Sequence, residues 1–114
     1  MKPSDVVLIE FPFSDQESSK KRPGLVLGVT SHGAKIRLVT IAMITSQIDG
    51  LKLPGDTLLR DWKEANLLHP SLVRLAKFAT IEREMVANEI GRLTSYDNKF
   101  ISLALNSIFH HWIK

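Results

Sequence analysis

The 114 residues carry 15 Lys+Arg against 12 Asp+Glu, a net charge of +3, 44% hydrophobic residues and no cysteine. That balance is a globular one, with length enough for a single domain over 1–114 and one core. It excludes a disulfide framework and a thiolate zinc site, and the setting it predicts is the cytoplasm. No apolar run approaches the ~20 residues that cross a bilayer, and the start, Met1-Lys2-Pro3-Ser4-Asp5, lacks the pattern of a signal peptide. No membrane partner is therefore expected. The small positive surplus permits a nucleic-acid partner without requiring one.

In chain order, Asp5–Phe11 is β-branched and apolar, the composition of a strand buried on both faces or lying at a sheet centre. Residues 12–21 are polar and rich in turn formers and read as a loop longer than an ordinary hairpin connection. Arg22–Thr30 is a second strand, with Pro23 confined to its start or to an edge because it has no N–H for the ladder. Ser31-His32-Gly33 turns tightly into a third strand, Ala34–Ala42, where Lys35 and Arg37, with Val39 in phase, face away from Ile36, Leu38 and Thr40. Met43–Gln47 leaves that strand, Ile48-Asp49-Gly50 turns, and Asp56–Leu59 is a short strand.

Asp61–Asn66 predicts a short helix, capped by Asp61, with Glu64 completing a capping box and Asn66 stopping it. Leu72–Thr80 is the next strand; Glu82-Arg83-Glu84 is a turn or short helix. Met85–Leu93 fits strand or helix, a short strand near Ile90 being preferred. Thr94-Ser95-Tyr96-Asp97 has the form of a capping box. After it Ile101, Ala104, Ile108 and Trp112 recur at helical spacing, widened by Phe100, Leu105 and Phe109, so the C-terminal helix should run about five turns. Such a helix lying on a small antiparallel β-barrel is the architecture implied.

Phosphate-cradling glycine loops, a nucleophile elbow and a His-Glu-x-x-His zinc motif are all absent. Of the four histidines, His110 and His111 are adjacent and point about 100° apart on a helix, which suits a surface better than a shared metal. Polar residues beside strand-forming runs are what remain. Arg22 stands where the polar loop meets a strand: it reads as a surface Arg of a hairpin, or as a rigid fork for a phosphate or carboxylate. Thr45 and Ser46 follow an apolar strand, as turn formers or as a pair of hydroxyls for a ligand. Arg74, between Val73 and Leu75, needs solvent or a partner on its face.

Several segments taken in order resemble a family. Asp5-Val6-Val7-Leu8-Ile9-Glu10-Phe11-Pro12-Phe13-Ser14-Asp15, Lys21-Arg22-Pro23-Gly24-Leu25-Val26-Leu27 and Ala42-Met43-Ile44-Thr45-Ser46-Gln47 look like successive blocks of PemK/MazF-type toxins. Asp61-Trp62-Lys63-Glu64-Ala65-Asn66-Leu67, Phe78-Ala79-Thr80-Ile81 and Ile90-Gly91-Arg92-Leu93 before the terminal helix complete the order. Two positions depart from the family pattern. Ala76 stands where many members carry Asp, and Ser4 stands where Gly is usual just before the first strand.

The resemblance implies a mainly β chain: a small SH3-like antiparallel barrel of the PemK/MazF/CcdB kind, with one short helix and one long C-terminal helix. It implies a homodimer and a sequence-selective, metal-independent endoribonuclease that cleaves single-stranded mRNA to a 2′,3′-cyclic phosphate and is neutralised by a cognate acidic antitoxin. Cofactors and metal ligands are not expected. The family's blocks place catalytic roles on Arg22, Thr45 and Ser46, and Ala76 leaves no carboxylate base at its position. RNA contacts are expected at Phe13, which would stack a base, and at Gln16, Lys20, Lys21, Arg74 and Lys77. A second reading, from the CcdB-type toxins on the same fold, is a non-enzymatic inhibitor that binds DNA gyrase through C-terminal residues, here His111-Trp112-Ile113-Lys114. Against it, Trp112 shares the helix stripe with Ile108, which predicts packing. A third is an inactive relative that retains only antitoxin binding.

Overall fold

The computed structural model of the chain describes residues 1–10 and 21–113. The loop expected over 12–21 lies, apart from Lys21, outside the described residues, as do Phe13, Gln16 and Lys20. Among the described residues six strands and one α-helix follow in order: β1 (Asp5–Ile9), β2 (Arg22–His32), β3 (Lys35–Thr45), β4 (Asp56–Leu58), β5 (Leu72–Glu82), β6 (Val86–Arg92) and α1 (Ser95–Ile108). A 3₁₀ turn, Arg83–Met85, joins β5 to β6. The strands make one antiparallel sheet in the order β4-β5-β3-β2-β1-β6. The mainly β class with a C-terminal helix is thus what forms. The barrel is open, with β4 and β6 at its edges.

β1 lies between β2 and β6, and successive residues point to opposite faces of the sheet. Val6 joins a cluster with Leu25, Ala42, Ile44, Val73, Leu75 and Ile101 of α1. Val7 and Ile9 join another with Val26, Val39, Ile41, Ile81 and Val86. The sheet therefore has a core on each side, which explains why β1 reads as continuously apolar rather than alternating. Ile36, expected opposite Val39, packs against the same cluster as Val39; a register shift between Thr30 and Ser31 adds twist to that end of the β2–β3 hairpin.

Pairing carries β2 beyond its expected end, to His32↔Lys35, and starts β3 one residue after the expected Ala34, leaving the turn to Gly33, at φ 64, and Ala34. At its other end β3 runs past the expected Ala42 through Thr45, which pairs with Leu72 of β5.

The short helix expected over Asp61–Asn66 is instead a set of hydrogen-bonded turns. The N–H of Ala65 donates to Asp61 O at 3.2 Å and that of Asn66 to Lys63 O at 2.9 Å, and Asn66 ends the turn at φ 63. A stretch this short does not offset the cost of helix nucleation. Nor does the Asp61 carboxylate cap it. Its oxygens accept from the Arg60 guanidinium at 3.0 and 3.1 Å and from Thr94 Oγ1 at 2.6 Å.

Thr94 caps α1 as expected, its hydroxyl oxygen accepting from the Asp97 N–H. The Asp97 side chain does not complete the box. It is 1% exposed and accepts from the backbone N–H groups of Arg60 at 2.9 Å and Asp61 at 2.8 Å. α1 has 14 residues, about four turns, so it stops short of the expected length. Phe109 leaves helical geometry at φ −103, ψ 21, and the chain turns, with the Trp112 N–H donating to Phe109 O. Trp112 thereby drops off the stripe and is 80% exposed, against the packing expected of it. Among the described residues no helix is long and apolar enough to cross a membrane.

Candidate active site

The start of β2 and the end of β3 meet because of their register. Gly24 pairs with Met43, and continuing that antiparallel ladder brings Arg22 opposite Thr45. Pro23, paired with Leu8 of β1, is the second residue of β2, at the strand start expected of it. Lys21, Arg22, Thr45, Ser46 and Gln47 all line one cavity of about 630 Å³. The structure thus gathers four of the residues singled out in the sequence. Arg22 is exposed and makes no ion pair among the described residues. Thr45 is half-buried, and its hydroxyl oxygen accepts from the Gln47 N–H at 3.1 Å. A hydroxyl that accepts at its oxygen still has its proton to donate. Two cations and two hydroxyls around one space are groups that hold an anionic oxygen.

The facing wall comes from the stretch after the Asp61–Asn66 turn. Leu8, Ile44, Leu67 and Ile90 make the apolar floor, and Asn66, His69 and Ser71 complete the polar lining. Asn66 is held by its side-chain amide donating to Ile90 O at 2.6 Å, and Leu67 by its N–H donating to Trp62 O at 3.0 Å. The turn can come this close to β6 because residue 91 is glycine. A Cβ there would collide with the carbonyl of Ala65.

Arg74 and Lys77 are placed elsewhere. The Arg74 guanidinium grips Asp56 of β4 with two hydrogen bonds, 3.1 and 2.9 Å, and donates a third to Leu51 O at 3.1 Å. Arg74 holds the Asp56 carboxyl below its ordinary range, chiefly through these bonds, and the Arg74 guanidinium is held above its own by the same partner. Neither Arg74 nor Lys77 lines the cavity. Lys77 and Ala76 fall where β5 slips against β3. Met43 pairs with Arg74 while Ala42 pairs with Phe78, so Leu75, Ala76 and Lys77 form a bulge, with Ala76 and Lys77 exposed.

Asn66, His69 and Ser71 are cavity residues that the sequence reading passed over. Asn66 was legible only as a turn stop and His69 only as one of four histidines. His69 and Ser71 are brought there by the pairing of Leu72 with Thr45, and Asn66 by its bond to Ile90 of β6, which pairs with β1; no local pattern encodes either.

Comparison with known proteins bears on the whole chain. Residues 2–109 match the family described as PemK-like, MazF-like toxin of type II toxin-antitoxin system. No curated protein matches the chain. Among solved structures, the Mycobacterium tuberculosis toxin MazF-mt6 aligns with a TM-score of 0.66 at 22% identity, over 93% of this chain and 96% of that one. MazF from Deinococcus radiodurans aligns with a TM-score of 0.69 at 19% identity, over 96% of each chain. An endoribonuclease from a mycobacterial species, in complex with its cognate antitoxin, gives 0.68 at 13% identity, over 96% of this chain and 93% of that one. At such identities the structural likeness speaks for the fold, and the match over 2–109 speaks for descent: the chain belongs to the PemK-like, MazF-like toxins of type II toxin-antitoxin systems.

Proposed function

We propose that the protein is the toxin of its module and an endoribonuclease that cleaves single-stranded mRNA at preferred sequences without a metal, leaving a 2′,3′-cyclic phosphate and a 5′-OH. The observation that carries the reading is the joint placement of Arg22, Thr45 and Ser46 around one cavity. In such a step the 2′-OH attacks the adjacent phosphorus in line, and the equatorial oxygens gain charge. Arg22 stabilises that charge, Thr45 donates its hydroxyl proton to the scissile phosphate, and Ser46 adds a second hydroxyl. Lys21 adds charge, further RNA contacts are proposed at Phe13, Gln16, Lys20 and Lys77, and Arg74, whose guanidinium holds Asp56, supports β4 instead of the RNA. A homodimer and an acidic antitoxin segment that folds into the electropositive cavity complete the proposal; such a segment competes with RNA for the same charge.

The test is cleavage of a defined single-stranded RNA with mapping of the new ends, for the wild type and Arg22→Ala. Cleavage by the wild type with cyclic-phosphate ends, lost in Arg22→Ala, is expected. RNA left intact by both proteins, while the wild type still blocks growth, sinks the reading. A gyrase-binding inhibitor is the second reading, favoured by the exposure of Trp112 (80%) and Ile113 (49%). Removing the last three residues abolishes growth inhibition under that reading and spares RNA cleavage under the first. An inactive relative would bind antitoxin in a pull-down and do neither.

A further inference from the structure

In-line attack by a 2′-OH needs a group to take its proton, and the residues described so far leave that role open. Among the described residues lining the cavity, Lys21 and Arg22 are cations, Thr45, Ser46 and Ser71 are hydroxyls, and Gln47 and Asn66 are amides. None of these accepts a proton readily near neutrality. No carboxylate is present in that set, and Ala76 is exposed on the β5 bulge away from it. His69 is the exception. Imidazole is the side chain that exchanges a proton close to neutral pH, and His69 lines the same cavity as Arg22 and Thr45.

Its backbone is fixed on both sides. Upstream, Leu67 is 8% exposed and hydrogen-bonded to Trp62 O. Downstream, the His69 carbonyl accepts from Ser71 Oγ at 2.8 Å, Pro70 restricts the backbone between them, and Ser71 O accepts from the Leu59 N–H at 3.0 Å. The residue is exposed at the cavity wall, so a rigid bracket presents a ring with room to turn toward a ligand.

We infer that His69 is the general base of the cleavage step, a catalytic residue acting beside Arg22 and Thr45. This rests on the ribonuclease reading given above. A ring nitrogen takes the proton of the 2′-OH; O2′ bonds to phosphorus; the P–O5′ bond breaks, and its electron pair stays on O5′. A water molecule protonates O5′, and the hydroxide it leaves takes the proton from the imidazolium, which resets the ring. Among the described residues, the charged groups sharing the cavity with the ring are Lys21 and Arg22 from the start of β2. A general base acts only in its unprotonated form, so a base in this step gives the rate an acid limb, and removing the base removes that limb.

The experiment measures kcat/KM against pH on a defined single-stranded RNA for the wild type, His69→Ala, His69→Gln and Arg22→Ala. His69→Ala and His69→Gln should lower kcat/KM by about 10²- to 10⁴-fold and lose the acid limb, with free imidazole restoring part of the His69→Ala rate. Wild-type rates, or an unchanged acid limb, in both His69 variants overturn the assignment while leaving the ribonuclease reading intact, provided Arg22→Ala is dead. A wild type that leaves RNA intact overturns both. Circular dichroism and the melting temperature separate loss of chemistry from loss of fold, and two variants at an exposed position guard against a single misfolding substitution.

Discussion

Arg74 holds Asp56 with both carboxylate oxygens engaged, at 3.1 and 2.9 Å, and so ties the edge strand β4 to β5. The pair is mostly shielded, with side-chain exposures of 19% and 5%. The Asp56 carboxyl lies below its ordinary value of 3.8 because of the Arg74 hydrogen bonds first, against an opposing burial cost, with the Leu53 N–H helping. A carboxyl depressed in the folded state stabilises the fold above its unfolded value and loses that contribution as pH falls from there through the folded value. Asp56→Asn should therefore cost about 1.5–3 kcal/mol at pH 7, read by urea denaturation. The gap from wild type should stay constant from neutrality down to about pH 5 and shrink below the ordinary value of 3.8. A gap that widens on acidification contradicts the account.

Asp97 should be the most sensitive position of α1. Its buried carboxylate holds two backbone N–H groups of the Arg60–Asp61 segment. Asp97→Ala strands both donors, and a loss of about 2–3 kcal/mol is expected, measured by chemical denaturation. Thr94→Ala, which removes the cap and the hydrogen bond to Asp61, should cost about 1 kcal/mol.

Gly91→Ala tests the closeness of the turn to β6. The added methyl meets the Ala65 carbonyl, a backbone atom that cannot swing aside, and overpacking of this kind costs about 1–3 kcal/mol. Gly28→Ala is the control: nothing lies near its Cβ position. A melting temperature for Gly91→Ala equal to that of Gly28→Ala would show that the turn yields freely.

Thr45→Val and Thr45→Ser separate the hydroxyl from the shape. Valine keeps the branched side chain on β3 but has no proton to donate, and cleavage should fall about 10²-fold. Serine keeps the hydroxyl that accepts from Gln47 and should retain most of the rate. A rate kept in Thr45→Val and lost in Thr45→Ser would assign Thr45 a packing role only.

How much of this was legible beforehand follows from the reach of each interaction. The strands were readable because β-branched runs and turn residues are local signals, and the cap at Thr94 because its partner is three residues on. Asp97 misled for the same reason: its pattern fits a capping box, but its carboxylate serves a segment 36 residues earlier. Trp112 misled because periodicity does not register the end of a helix. Ser4, where the family pattern has Gly, adopts φ 82, a conformation glycine takes at little cost, so that departure marked a real backbone requirement. Arg22, Thr45 and Ser46 were named from short blocks. Asn66, His69 and Ser71 were not, because long-range pairing carries them to the cavity: Leu72 with Thr45 for His69 and Ser71, and β6 with β1 for Asn66.

The slip in β5 has a further meaning. Because Leu75, Ala76 and Lys77 are the surplus between two paired halves, a residue added beside the exposed Ala76 and Lys77 changes the size of a bubble rather than the phase of a strand. Both halves keep their inward and outward faces, Arg74 keeps Asp56, and Phe78 keeps Phe109 at 6.0 Å. The middle of β5 is thus a length buffer inside a sheet, with its slack on the outside at Ala76 and Lys77, while Leu75, 1% exposed, stays anchored in the core.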